Sequence, residues 1–156
     1  MLKRNNLELR IPPILVTLMV AFFMKLAANL FPEVSIVVGF SDPVSWVLLG
    51  IGALVSLVSV IAFKSAKASV NPIKPDGNSK LVTSGIYRIS RNPMYLGFLI
   101  ALIGIAVYLT NLFSLLLCGV FVMYMNRFQI RPEERALKSL FGKEYINYKI
   151  RTRRWL

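Results

Sequence analysis

Two adjacent acids, Glu133 and Glu134, stand in a stretch otherwise crowded with Lys and Arg. A carboxylate pair in such a setting can bind a cationic ligand at a membrane surface. Equally, Pro132-Glu133-Glu134 can open a helix whose dipole favours acids in its first turn. A second cluster reads Arg91-Asn92-Pro93-Met94-Tyr95. Pro93 suits the first turn of a helix, where free backbone N–H groups can meet an anionic or polar ligand group. The plainer reading is a helix start capped by the side chain of Asn92. From Glu134 onward a helical face runs Leu137, Phe141, Tyr145, Tyr148 and Arg151, and the chain then ends in Arg153-Arg154-Trp155 before Leu156. An amphipathic helix carrying Tyr, Trp and Arg fits the headgroup zone of a bilayer, as a site wall or as an anchor. The chain has no His, so an imidazole base and a Cys/His zinc site are excluded and no metal ligands are assigned. Cys118 is the single cysteine, which excludes a disulfide framework within the chain.

These groups need elements to hold them. The chain has 156 residues, 56% of them apolar, with a net charge of +12 and a mean hydropathy of +0.61. Disordered chains are poor in apolar residues, so disorder is excluded. Residues 44–63 carry no charge; 20 residues at about 1.5 Å each span about 30 Å, one hydrocarbon core. Residues 94–125 are also uncharged but too long for one ordinary span, and Thr110-Asn111, the adjacent polar pair within them, predicts a helical hairpin. The expected architecture is therefore all-α: one membrane domain over 1–156, with four transmembrane helices at about 11–31, 44–63, 93–109 and 112–128, followed by a C-terminal cytoplasmic amphipathic helix.

Charge tests this layout. With four spans, 18 of the 19 basic residues fall on one side, and Lys25, inside the first span, is the exception. By the positive-inside rule both termini are cytoplasmic, and Lys25 is read as snorkelling toward the outer surface. Topology accounts for the basic balance, so no nucleic-acid partner is expected. The apolar part of residues 1–30 is too long for a signal peptide and is interrupted by Lys25. Small residues mark helix contacts: Gly50, Ala53, Ser56 and Ser59, with Gly52 and Ser56, in the second span; Gly97, Ala101 and Gly104 in the third; Ser114 and Cys118 in the fourth. The loop 64–91 holds Asn71-Pro72, the run Lys74-Pro75-Asp76-Gly77-Asn78 and Ser84-Gly85, all breaker signals. Its apolar Leu81, Val82, Ile86 and Tyr87 argue for an ordered, functional loop.

Taken in order, Leu81-Val82-Thr83-Ser84-Gly85-Ile86-Tyr87-Arg88, Arg91-Asn92-Pro93-Met94-Tyr95-Leu96-Gly97, a helical hairpin, Glu133-Glu134 with Leu137, Phe141-Gly142 with Tyr145, Tyr148 and Arg151, and Arg154-Trp155 resemble the isoprenylcysteine carboxyl methyltransferase family, which groups with the phospholipid N-methyltransferases. The resemblance covers about residues 71–155. It implies an integral membrane enzyme of a prokaryotic cytoplasmic membrane that uses S-adenosylmethionine, held in a cytosol-facing pocket between the loop 64–92 and the tail 129–156. The acceptor is a lipophilic small molecule or a lipid-modified substrate arriving from the membrane lipid. The implied cofactor-binding residues are Leu81, Val82, Gly85, Tyr87, Arg91, Asn92, Pro93, Tyr95, Glu133, Glu134, Tyr145 and Tyr148. The implied catalytic residues are Glu134, Arg151 and Asn92, with Arg151 orienting an anionic acceptor group or locking the tail. Asn92 stands where eukaryotic members have His, which leaves hydrogen bonding as its role.

Methyl transfer from a sulfonium is an in-line substitution governed by alignment and electrostatics. A carboxylate acceptor needs no base, whereas an amine must first lose a proton to Glu or Tyr. That favours a carboxylate, as in isoprenylcysteine carboxyl methylation, over phospholipid N-methylation. Two further alternatives are an NADPH-dependent enzyme like the sterol reductases and a non-catalytic protein whose basic tail binds anionic lipid.

Overall fold

The structure is a computed structural model that describes residues 8–32, 41–65 and 80–156. Among these residues, six α-helices run in the order α1 (Pro13–Leu30), α2 (Ser41–Ser65), α3 (Pro93–Leu109), α4 (Leu112–Tyr124), α5 (Arg131–Phe141) and α6 (Lys143–Arg151). A 3-10 turn (Gly85–Arg88) precedes α3, and a π-helical segment (Met125–Ile130) joins α4 to α5. The breakers at residues 71–78 lie outside the described residues, as do Glu33, Lys67 and Lys74.

α3 is the centre of the bundle. Its Tyr95, Leu102 and Ala106 form one apolar core with Val16 and Met24 of α1, Cys118 and Phe121 of α4, and Met125 and Ile130 of the π segment. α2 stands apart from that core and lies along α3 through a seam of small residues. A methyl group added at Gly52 would sit 2.6 Å from the Gly97 carbonyl oxygen, and one at Gly104 would sit 3.0 Å from that of Ser45. Backbones this close leave no room for side chains, the usual way apolar helices associate when water supplies no driving force. The Ser56 hydroxyl adds a bond of 3.3 Å to the Met94 carbonyl. The seam uses Gly52, Ser56 and Ser59; Gly50 and Ala53 face outward, because the helical repeat carries a strict three-residue stripe off the contact face.

The hairpin falls where the polar pair predicted it. Thr110 ends α3 with a positive φ of 46°. Asn111 then caps α4 by accepting the Ser114 N–H at 3.3 Å, while its amide donates to the Phe31 carbonyl at 2.9 Å. One buried side chain thus closes the hairpin and fastens it to the end of α1. Ser114 repeats the link one turn on, donating to Met24 O at 3.1 Å.

Among the described residues, three helical stretches are long and apolar enough to cross a membrane: Pro13–Leu30, Ser41–Ser65 and Leu112–Phe141; α3 is apolar but shorter, at 17 residues. Their outer faces expose Leu18, Phe22, Leu54, Leu57, Leu116 and Met123, and Lys25 is exposed among them. Two sequence expectations need correction here. The fourth helix does not stop at residue 128 but runs on through the π segment to Phe141. The tail is two helices, because Gly142 takes a positive φ of 51° that ends α5 and turns the chain into α6.

The π segment has a local cause. Pro132 carries no N–H and its ring crowds the carbonyl four residues back, so it cannot continue an α-helix in the ordinary way. The carbonyl it deprives of its α-helical donor is that of Phe128, which accepts the N–H of Leu9 at 3.1 Å. The helix widens here to an i−5 bond, from the Arg131 N–H to the Asn126 carbonyl.

Candidate functional site

One end of the bundle gathers the start of α3, the end of α2, α5, α6 and the residues before α3. Between them lies a cavity of about 420 Å³, within the size range of small-molecule sites. Of the residues the sequence singled out, Leu81, Val82, Tyr87, Arg91, Asn92, Pro93, Tyr95, Glu133, Glu134, Tyr145 and Tyr148 all line it.

The two acids have different surroundings. The Glu133 carboxylate accepts the Tyr95 hydroxyl at 2.6 Å. Glu134 accepts from two guanidinium groups: Arg91 Nη2 at 2.8 Å, and Arg154 through Nε at 3.0 Å and Nη2 at 2.7 Å. The Arg154 contact is the two-pronged geometry that guanidinium and carboxylate planes favour. Side-chain exposure is 8% for Arg91 and 13% for Glu134, so these bonds are shielded from the screening that weakens surface pairs. The Glu134 hydrogen bond in turn raises the Arg154 pKa.

Arg91 does more than pair with Glu134. Its Nη1 donates to the carbonyls of Lys149, at 3.1 Å, and Thr152, at 2.6 Å, and its backbone N–H donates to Arg153 O at 3.0 Å. Ser90 Oγ and Asn92 Nδ2 both donate to the Arg154 carbonyl, at 3.2 and 2.9 Å. The tail is thereby laced to the entrance of α3. Tyr148 donates its hydroxyl to the Tyr87 carbonyl at 2.6 Å and closes the same wall. Arg91 lines the cavity, and its Nε is buried with no partner among the described residues. An orphaned buried donor is costly and fits a ligand carboxylate or hydroxyl.

The tyrosines are held neutral. Burial, then the charge of Glu133, pushes the Tyr87 phenol up to about 12. Burial, then the charge of Glu134, pushes Tyr145 up to about 12. Burial also raises Tyr148. None of the three is a practical base near neutral pH.

Three expected roles change. Arg151 is exposed and does not line the cavity. α6 ends there, Thr152 turns the chain into an extended conformation, and the arginine brought back to Glu134 is Arg154. Asn92 does not cap α3 with its side chain; its Nδ2 holds the tail, and Ser90 Oγ accepts the Asn92 N–H at 3.1 Å. Gly85 is exposed, off the cavity, and has a positive φ of 60°; it opens the 3-10 turn that presents Tyr87. The cavity also takes in Ser59, Val60, Phe63 and Lys64 of α2 and Gln129 of the π segment. These escaped sequence reading, since a helix end and a lone Gln carry no local signal. Glu8 was missed as well. It is buried and accepts Arg135 Nη2 at 2.6 Å, with Arg127 at 3.9 Å.

Residues 43–144 match the phospholipid methyltransferase family. The chain is 34% identical over 98 residues to protein-S-isoprenylcysteine O-methyltransferase B of Arabidopsis thaliana, covering 63% of this chain and 50% of that protein. It is 35% identical over 124 residues to a probable protein-S-isoprenylcysteine O-methyltransferase of Oryza sativa subsp. japonica, covering 78% and 63%. Against protein-S-isoprenylcysteine O-methyltransferase of Saccharomyces cerevisiae it is 39% identical over 79 residues, covering 49% and 32%. The matched part is half of the Arabidopsis relative and under two thirds of the rice one.

Proposed function

Because the chain belongs to the phospholipid methyltransferase family, we propose that it methylates a carboxylate on a lipophilic acceptor, with S-adenosylmethionine as donor, at the cytoplasmic face of a membrane. The observation that carries this reading is the cavity itself. It combines a buried donor without a partner among the described residues, Arg91 Nε, with a carboxylate, Glu133, and an apolar flank of Val60, Phe63 and Leu140. The relatives' names add O-methylation of an isoprenylated cysteine as the model for the acceptor.

When bound, S-adenosylmethionine supplies an electrophilic methyl carbon on a sulfonium. Arg91 holds an anionic group of the donor through Nε while its other nitrogens keep the tail in place. Glu133, fixed by Tyr95, faces the donor's cationic side. Tyr87, Tyr145 and Tyr148 contribute ring faces, and their neutral phenols take up no proton. The apolar flank keeps water from the reacting centre, where poorly solvated opposite charges cancel most favourably. Asn92 positions the tail through the Arg154 carbonyl and is no longer assigned to catalysis. Arg154 replaces Arg151 as the arginine that locks the tail.

The same reading has four spans in a prokaryotic cytoplasmic membrane. α3 is the short one, at about 26 Å by its rise per residue; the cavity end and both termini are cytoplasmic. The rival is N-methylation of a phospholipid amine. Glu133 favours it in one respect, as the carboxylate in the cavity not paired to arginine.

The deciding experiment uses purified protein in detergent with methyl-labelled S-adenosylmethionine and a lipid extract. A labelled product that releases its label in mild alkali is an ester and supports the proposal. An alkali-stable label on a headgroup amine supports the rival. Absence of thermal stabilisation by S-adenosylmethionine, where a ligand of the native state must stabilise, defeats both.

A further inference from the structure

The N-terminal residues 8–11 do not touch the cavity, yet their polar contacts beyond their own stretch go to the helix that carries Glu133 and Glu134. The Leu9 N–H bonds the Phe128 carbonyl. Gln129 Nε2 donates to Ile11 O at 2.6 Å. Glu8 is 5% exposed and pairs with Arg135 at 2.6 Å and Arg127 at 3.9 Å. These four contacts reach Arg127, Phe128 and Gln129 within the π segment and Arg135 in α5 beyond it. Leu9 itself has a positive φ of 58°, a conformation that non-glycine residues keep only where surrounding contacts determine it.

We propose that residues 8–11 are a strap that holds the π segment open and so sets the rotational register of Glu133 and Glu134, with Glu8 as the positioning residue. A wide turn inserts one residue relative to an α-helix. Closing it rotates everything downstream by about 100°, the angle of one residue. That rotation carries both acids off the cavity and parts Glu134 from Arg91. Pro132 removes the α-helical donor to the Phe128 carbonyl, and the strap supplies one from the Leu9 N–H. Single wide turns recur at functional sites for this reason: they re-aim side chains without ending the helix. The proposal rests on the methyltransferase reading of the cavity.

The test uses the full chain in detergent. Glu8→Gln removes the charge and keeps the size; Arg135→Gln breaks the same pair from a side chain that is 46% exposed and tolerates change. Binding of S-adenosylmethionine is measured by calorimetry. The register is followed by the indole ¹⁵N–¹H resonance of Trp155 in a Trp46→Phe background, because that indole donates to Asn126 of the π segment at 3.2 Å. The expected result, for both variants, is a shifted Trp155 resonance and cofactor affinity reduced about tenfold, the size of one lost charge-assisted hydrogen bond, in protein that remains folded. Unchanged affinity in a folded variant overturns the positioning role. If Glu8→Gln does not fold, Arg135→Gln alone decides. Failure of the unaltered chain to bind S-adenosylmethionine overturns the methyltransferase reading, and this inference with it.

Discussion

At the residue scale the site turns on guanidinium geometry. Arg91 serves two tail carbonyls through Nη1 and Glu134 through Nη2, a planar spread that the single nitrogen of a lysine does not reproduce. Arg91→Lys is expected to cost about 2 kcal/mol of stability and to expose the tail to trypsin, read by unfolding midpoint and by the cleavage pattern. Arg154→Ala is expected to free the tail likewise, whereas Arg151→Ala stays within about 0.5 kcal/mol of the unaltered chain, as exposed substitutions do; equal losses would contradict the assignment. Tyr87 and Tyr145 supply a pH prediction. Both pKa values are raised from 10.0 to about 12 in the folded chain, so folding favours the neutral phenols. Their contribution is complete below pH 10 and is lost as pH rises through about 12. Unfolding midpoints between pH 8 and 12 should fall over that window and not before it. Glu133 and Glu134 were legible because two adjacent acids stand out among so many Lys and Arg; Arg91 and Tyr95 were legible through the resemblance to the family's motif. Arg154 was not separable from Arg151, since the turn at Thr152 that brings one back and leaves the other outside has no marker in a run of basic residues.

At the element scale, the most exacting feature is the seam between α2 and α3. A Cβ at Gly97 would lie 2.6 Å from the Gly52 carbonyl oxygen, so Gly97→Leu must push the helices apart. About 1–3 kcal/mol of destabilisation is expected from such overpacking. Gly50→Ala and Gly119→Ala, where nothing lies within 4 Å, should be close to neutral. Denaturant titration of the three variants in one detergent separates the cases. The hairpin could be read from Thr110-Asn111 because a polar pair inside a long uncharged run is costly in hydrocarbon unless a turn carries it out to the interface. The π segment could not. Pro132 followed by two acids is also the signature of a fresh helix start, and only the partner of the Phe128 carbonyl, far away in sequence, distinguishes the two.

At the scale of the whole molecule, helix order and the place of the cavity agree. The end of α2, the starts of α1 and α3, and the length of α5, which continues α4 through the π segment, meet at the cavity, as an up-and-down bundle requires. The proposed orientation predicts the labelling of Leu156→Cys in a Cys118→Ser background. A membrane-impermeant maleimide should leave it unmodified in intact cells and modify it after permeabilisation. Modification in intact cells would reverse the topology. The apolar helices were the most legible feature in sequence, because crossing a hydrocarbon core sets a length that shows as an uncharged run; the side on which the basic residues lie belongs to the proposed orientation. The position of α2 outside the common core was hidden, because an apolar helix facing lipid and one facing protein have the same composition.

The lacing between the α3 entrance and the tail has a consequence for how this chain can vary. Arg91, Ser90 and Asn92 grip the carbonyls of Lys149, Thr152, Arg153 and Arg154, and every residue type offers a carbonyl. The tail is therefore gauged by its length more than by its spelling: exchanges at Arg151 or Arg153 leave the grip intact, while deleting one residue between Tyr148 and Arg154 takes Arg154 out of reach of Glu134.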